Sequence, residues 1–370
     1  MVENVKAPTT VTPLHSRRRA GESGLNNGDI EQRKKDHIQI ILSGKARHEQ
    51  DSGFSRIAFV HNALPELDIG DVDISTMFLG KKLKLPYLAS SMTGGPDQGG
   101  IINRNIAEAA QSMGFAMGVG SQRIALGGGS GHGLGNDIRR IAPDIALYAN
   151  LGAVQLVQGM TVDDARRAVD AISADALILH LNPLQEVLQL GGDVNWKGVL
   201  KAIENVCRRV GVPVIAKEVG AGISVDVATR LRNVGISAID VAGTGGSSWA
   251  AVEGLRRVDS QGQDLGEVFR NWGIQTAECL HEVHKALPEM PLIASGGIHD
   301  GLEGAKALRL GASLVGQAGA LLRAATLGAE QVIAHVSAWE KALRIACFCT
   351  ASRNLEELRQ APLRQPERDP

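Results

Sequence analysis

Eight short apolar runs, each followed by a longer amphipathic or glycine-rich stretch, occupy most of this 370-residue chain. The runs are Tyr87–Ser91, Phe115–Val119, Ile145–Asn150, Ala176–Leu181, Val214–Lys217, Ala238–Val241, Leu292–Ala294 and Ser313–Val315. Most are apolar at every position rather than at alternate ones. A strand with one wet face alternates and a strand covered on both faces does not, so the runs read as parallel strands under a layer of helices. The intervening stretches Asn103–Met113, Val162–Ser173, Trp196–Val210, Ser224–Asn233, Gln275–Ala286, Gly301–Leu310 and Glu330–Ala346 have helical character. Thr161, Asn195 and Ser224 stand as cap residues before three of them. Eight such units fill the roughly 250 residues typical of a (β/α)8 barrel, whereas a doubly wound sheet uses five or six strands. The expected fold is α/β: a (β/α)8 TIM barrel with an N-terminal extension.

The expected organisation is a flexible arm over 1–28, a segment over 29–85, the barrel over 86–350, and a C-terminal helix and tail over 351–370. Met1 to Pro13 has no apolar signal core, and no run approaches the ~18 apolar residues of a membrane span. Four cysteines are too few for a disulfide framework. The expected setting is the cytoplasm, without membrane contact. A net charge of −1 and a 3% aromatic content argue against a nucleic-acid platform, which needs basic stripes and stacking rings. The 44 glycines follow no three-residue period. They suit turns and places where backbone approaches a ligand.

In a barrel of this kind the functional residues lie just after the strands, and the unusual residues of this chain fall there. The first run leads into Ser90-Ser91-Met92-Thr93-Gly94-Gly95 and the second into Gly120-Ser121-Gln122-Arg123. Arg is the side chain best shaped to grip phosphate with two prongs. Asn150 closes the third run, and the fourth ends in His180-Leu181-Asn182-Pro183-Leu184-Gln185-Glu186. A carboxylate among amides suits a hard cation bridging to phosphate oxygens. Lys217 closes the fifth run and must meet an anion or polar ring, because burying it alone is costly. The sixth leads into a glycine- and hydroxyl-rich loop, Gly243 to Trp249, with Glu253 beyond. Glycine-rich turns after the last two runs, Ser295 to Gly301 and Gly316 to Ala320, have the form of the recurrent barrel phosphate site.

Taken in order, these motifs resemble the type 2, FMN-dependent isopentenyl-diphosphate delta-isomerases. The resemblance runs from about Arg33 to Cys349. It takes in R-K-x-x-H at Arg33 to His37, H-x-A-L-P-E at His61 to Glu66, S-M-T-G-G from Ser91, and G-S-Q-R from Gly120. H-x-N-P-x-Q-E from His180, K-E-V-G from Lys217, the Gly243–Glu253 loop and S-G-G-I-x-D-G from Ser295 complete it.

The resemblance implies interconversion of isopentenyl and dimethylallyl diphosphate with reduced FMN, Mg2+ and NAD(P)H. It implies FMN contacts from Ser91, Met92, Thr93, Ser121, Asn150, Lys217, Ser247, Gly297, Ile298, His299, Ala318 and Gly319. It implies substrate contacts from Arg33, Lys34, His37, Ser121, Gln122, Arg123, Asn182, Gln185 and Trp249, so that the 29–85 segment contributes to the site. Gln185, His180 and Glu186 would serve catalysis, with Glu186 holding Mg2+. A homo-oligomer, tetrameric or octameric, is implied as well. His299 stands where the family usually has Arg, which would weaken the phosphate grip, and Ser247 replaces a usual Thr.

Two alternatives stay open on sequence. Another FMN barrel oxidoreductase would want active-site tyrosines, of which the chain has Tyr87 and Tyr148, or a loop cysteine, of which there is none between Cys207 and Cys279. A non-catalytic phosphate-ligand-binding barrel is the other.

Overall fold

A computed structural model describes residues 27–93, 97–126 and 133–364. The strands are β1 (Thr76–Phe78), β2 (Lys81–Leu83), β3 (Tyr87–Ala89), β4 (Ala116–Gly118), β5 (Leu147–Gly152), β6 (Ala176–Leu181), β7 (Val214–Glu218), β8 (Ala238–Asp240), β9 (Leu292–Ala294) and β10 (Leu314–Gln317). Strands β3 to β10 run parallel and close into an eight-stranded barrel. Closure pairs β10 with β3 through Val315–Tyr87, Gly316–Leu88 and Gln317–Ala89. Each of the eight apolar runs contains or overlaps one barrel strand. All the residues of β3, β4, β5, β8, β9 and β10 are buried, which is why the runs do not alternate.

Two layers of core hold the barrel. Inside, Leu88, Ala116, Tyr148, Ala176, Ile178, Ile215, Ala238, Ile293 and Leu314 fill the lumen. The antiparallel hairpin β1–β2 adds Phe78 and Leu83 to the same cluster and covers the N-terminal ends of the strands. Outside, a larger cluster joins strand residues such as Leu147, Leu177 and Val315 to the helices. Ile, Val, Leu and Ala make up most of the buried helix faces, so the outer core packs with little aromatic bulk.

The helix over Val162–Ala171 is capped by Thr161, whose side chain pairs with Asp164 in a reciprocal box, and the helix over Val225–Asn233 is capped by Ser224. Asn195 is not a cap. Its helix starts later, at Val199, behind Gly198 in the left-handed conformation (φ 91°). Trp196 turns back to donate its indole N–H to the Asp193 carbonyl, keeping residues 195–197 in the loop.

The expected arm lies outside the described residues except for Asn27 and Gly28, which begin a helix running from Asn27 to Ser43. That helix packs over the barrel mouth against the helices Gly319–Leu327 and Trp249–Leu255. The last described helix spans Leu355–Gln360; residues 365–370 lie outside. Among the described residues no helix is long and apolar enough to cross a membrane.

Candidate active site

The loops that follow the barrel strands, roofed by the helix Asn27–Ser43, enclose a cleft of about 1230 Å³ that opens to solvent. Ser91, Met92, Thr93, Lys217, Ser247, Gly297, Ile298, His299, Ala318 and Gly319 line it, as do Lys34, His37 and Trp249. Of the twelve residues expected at the cofactor, only Ser121 and Asn150 lie outside its lining.

The lining fits a flat, polar-edged ligand carrying a phosphate. Ser91 Oγ and Thr93 Oγ1 are buried without a protein partner. A hydroxyl in that state costs ~1–3 kcal/mol, so a ligand with acceptors and donors at its rim would stabilise both. Lys217, 8% exposed, is aimed by three groups. Its ammonium donates to the Glu218 carbonyl at 3.0 Å and to Ser295 Oγ at 3.3 Å, and lies 3.1 Å from Asp240 Oδ2. Ser295 Oγ in turn donates to Asp240 Oδ1 at 2.6 Å. Asp240 thus neutralises a buried cation that has no room to relax.

The loops after β8 and β9 interlock. Gly297 has φ 67°, and a Cβ there would sit 2.4 Å from the Gly245 carbonyl carbon. Only glycine permits that approach. It lets the Gly296–Ile298 backbone line the cleft ahead of the helix Gly301–Arg309, a geometry suited to phosphate.

Beside this cleft stands a second group of polar residues. Asn182 Nδ2 donates to Gln185 Oε1 at 3.1 Å and to Glu186 Oε1 at 3.0 Å. Gln185 Nε2 donates to Glu253 Oε1 at 3.1 Å. The same Glu253 oxygen accepts from His37 Nε2 at 2.9 Å, and Arg256 Nη1 donates to Glu253 Oε2 at 2.7 Å. Burial works against the Glu253 charge, but the His37 bond, the Arg256 guanidinium and the Gln185 amide outweigh it and hold the carboxyl at about 2. Burial lowers His37, against the pull of Glu253, so the imidazole serves as a neutral N–H donor and Arg256 carries the countercharge. The edge of that imidazole meets Trp249, ring centroids 5.0 Å apart.

Glu186 is different in character. Burial pushes its carboxyl up, opposed by the Asp193 amide on Oε2 at 2.7 Å and by Asn182. Asn182 Oδ1 has no partner in the protein. The Glu186 carboxylate and the unpartnered Asn182 oxygen are hard donors of the kind Mg2+ takes, with its remaining ligands drawn from water and phosphate. Arg33 sits within the fields of Glu253, Glu186, Arg256 and Arg123; burial lowers it from the ordinary guanidinium value. Arg123, exposed, pairs with Asp193 at 3.1 Å, and its backbone N–H donates to Ser121 Oγ at 3.2 Å.

His180, on β6, donates through Nδ1 to Asn150 Oδ1 at 2.8 Å. Burial and the Lys217 charge lower it to about 4, so at neutral pH its Nε2 is an acceptor. Asn150 is a holder of His180 rather than part of the cleft lining.

Gln122 corrects an expectation. Its side chain is 1% exposed and turned into the protein, donating to the Ala168 carbonyl at 2.9 Å and the Leu134 carbonyl at 3.2 Å, and accepting from the Asn150 backbone N–H at 3.1 Å. Its amide joins the helix Val162–Ala171, the loop at Leu134 and strand β5, so the side chain faces away from the cleft. Two participants had no assigned role in the sequence reading: Asp240 and Glu253. The signal was there in each case, an acid inside an otherwise apolar strand (Ala238–Asp240) or helix (Trp249–Leu255).

The fold and this lining define a flavin-type barrel. Residues 184–365 match the family described as FMN-dependent dehydrogenase. A solved mandelate oxidase variant superposes with a TM-score of 0.62 at 18% identity, covering 91% of this chain and 99% of that one. A flavocytochrome b2 variant superposes at 0.63 and 17%, covering 89% and 82%. Those two likenesses concern the fold.

Sequence relatives are nearer. The chain is 53% identical over 332 residues to the isopentenyl-diphosphate delta-isomerase of Xanthobacter autotrophicus, covering 90% of this chain and 96% of that one. It is 54% identical over 334 residues to that of Pseudescherichia vulneris, covering 90% and 96%, and 46% identical over 341 residues to that of a Nostoc species, covering 91% and 96%. The chain belongs to the isopentenyl-diphosphate delta-isomerase family, in its FMN-dependent form.

Proposed function

We propose that this cleft converts isopentenyl diphosphate to dimethylallyl diphosphate on reduced FMN, with Mg2+ at Glu186 and a nicotinamide as the source of reduction. The reaction adds a proton to the terminal alkene carbon and removes one from the neighbouring methylene, with no net redox change. Positive charge develops at the tertiary carbon between them, which calls for a dry pocket with electron density alongside. Reduced flavin supplies that density and an exchangeable proton when bound.

The chain's own residues bind, orient and exclude water. Arg33, Lys34 and Arg123 supply positive charge for the diphosphate, with Glu186 sharing the cation that bridges to it. Lys217 stabilises negative charge on the ring. Trp249 and Met92 supply apolar wall beside the alkene. The observation that carries the reading is the double anchorage of Gln185, its oxygen held by Asn182 and its nitrogen by Glu253, beside Glu186. Such an amide is fixed in orientation before substrate arrives.

The cleft favours this reading over an oxidase. Tyr148 is buried in the lumen and Tyr87 between strand and helices, and neither lines the cleft. Cytoplasmic location and assembly into a homo-oligomer belong to the same proposal.

The test is anaerobic incubation of the protein with FMN, Mg2+, NADPH or NADH, and isopentenyl diphosphate. Dimethylallyl diphosphate is the expected product. Flavin-loaded protein that leaves the substrate unchanged under reducing conditions overturns the proposal.

A further inference from the structure

Gln317, the last residue of β10, is 1% exposed and touches the cleft from beneath. Its Oε1 accepts from Tyr87 Oη at 2.8 Å and from His335 Nε2 at 2.7 Å. Its Nε2 donates to the Ile298 carbonyl at 3.0 Å. These partners fix which end of the amide is which. Burial raises Tyr87 and keeps the phenol protonated, so it donates. Burial lowers His335, leaving a neutral ring with one N–H, and that N–H is required at Nε2. Turning the amide over would set two oxygens against each other at Ile298.

The four groups come from four places. Tyr87 is on β3, Gln317 on β10, His335 on the long helix Ala329–Cys349, and Ile298 in the loop after β9. Ile298 sits in the middle of one glycine-rich turn, and Gln317 immediately precedes the other, Ala318-Gly319. If the residue served only to satisfy Tyr87 and His335, any acceptor would do. The Nε2 bond to Ile298 is additional, and it is the one that joins the two turns.

We propose that Gln317, held by Tyr87 and His335, is a positioning residue that sets the spacing of the two phosphate-facing turns and so gives this barrel its preference for a phosphorylated flavin. The inference rests on the flavin reading above. Gln317 acts through Ile298 and the backbone amides next to it.

The test compares FMN with riboflavin, which lacks the phosphate, by fluorescence titration of the apoprotein. Gln317→Glu keeps an acceptor for Tyr87 and His335 but removes the donor to Ile298 and adds charge near the phosphate. Its Kd for FMN is expected to rise at least about tenfold, the effect of an unpaired buried group, with that for riboflavin within about twofold. His335→Leu, at a half-buried outer position where folding is less at risk, is expected to raise the FMN Kd about threefold. His335→Gln, which restores a donor, is expected to recover most of that loss. Unchanged FMN affinity in both Gln317→Glu and His335→Leu overturns the proposal. Equal losses for FMN and riboflavin do so too, because that pattern marks a core lesion. A wild-type apoprotein that binds both flavins equally removes the phosphate preference itself, and one that binds neither overturns the flavin reading as well.

Discussion

Gln185 Nε2 lies 3.1 Å from Glu253 Oε1, an oxygen that also accepts from His37. One buried carboxylate therefore orients two side chains at the cleft's edge, one from the short helix Pro183–Leu188 after β6 and one from the N-terminal helix. Changing Glu253 to Gln would replace an acceptor-only group by one that must also donate. The expected result is a kcat lower by about a hundredfold, the cost of a misplaced group at a reacting centre, with FMN affinity within twofold of wild type. Steady-state kinetics together with flavin titration check it; an unaltered kcat removes Glu253 from the orienting role.

Gln185→Ala and Glu186→Ala should separate chemistry from cofactor binding. Neither side chain lines the cleft that takes the flavin. Turnover is expected to fall about a hundredfold or more in each, while the purified variants remain yellow after FMN addition. For Glu186→Ala the Mg2+ concentration giving half-maximal rate should also rise. Normal turnover in both variants would sink the assignment.

His180 makes the apoprotein sensitive to acid. In the unfolded chain its pKa is near 6.5 and in the folded one about 4, so the unfolded state binds more protons between those values. Stability then rises with pH across that window: the His180 contribution is complete above about 6.5 and lost as pH falls toward 4. Thermal melts of apoprotein from pH 4 to 7 should show a shallower slope for His180→Gln than for wild type. Parallel slopes would mean that His180 is not the group responsible.

Gln122 is expected to matter for stability and not for substrate. Gln122→Met removes donors to two buried carbonyls and an acceptor from the Asn150 amide. A loss of about 2–4 kcal/mol follows from leaving such groups unpaired, read by urea denaturation of the apoprotein. KM for the diphosphate, assayed at a temperature where the variant stays folded, should be unchanged. A KM effect without a stability effect would restore the sequence-based expectation of substrate contact.

His299→Arg tests the departure from the usual arginine. His299 lines the cleft and is exposed, with its backbone N–H donating to Glu303 Oε2 at 2.7 Å. An arginine adds a two-pronged phosphate grip, and FMN is expected to bind severalfold more tightly, with riboflavin unaffected. Equal affinity before and after would place residue 299 away from the phosphate.

The barrel was legible because its signal is local. Strands such as Leu292–Ala294 and Leu147–Gly152 are buried on both faces, so their composition announces them. Cap chemistry was legible where a side chain does the capping, as at Thr161 and Ser224, and illegible where a left-handed glycine does it, as at Gly198. The short helix Gly319–Leu327 is not marked off in the sequence, because only Gly328 separates it from the next helix. Within the site, residues ending strands could be found from their position. Glu253 and His37, 216 residues apart, could not be paired from the sequence, because their contact depends on the N-terminal helix folding back across the barrel mouth. Gln122 shows the reverse error. A polar residue inside a motif suggested outward recognition, whereas the side chain points inward and ties a helix, a loop and a strand together.

The β1–β2 hairpin governs traffic. With Phe78 and Leu83 set into the lumen and the inward residues of β3 to β10 packed above them, the barrel is stoppered at its N-terminal end. The ring-binding cleft therefore opens at the opposite end, beneath the N-terminal helix, and not through the barrel.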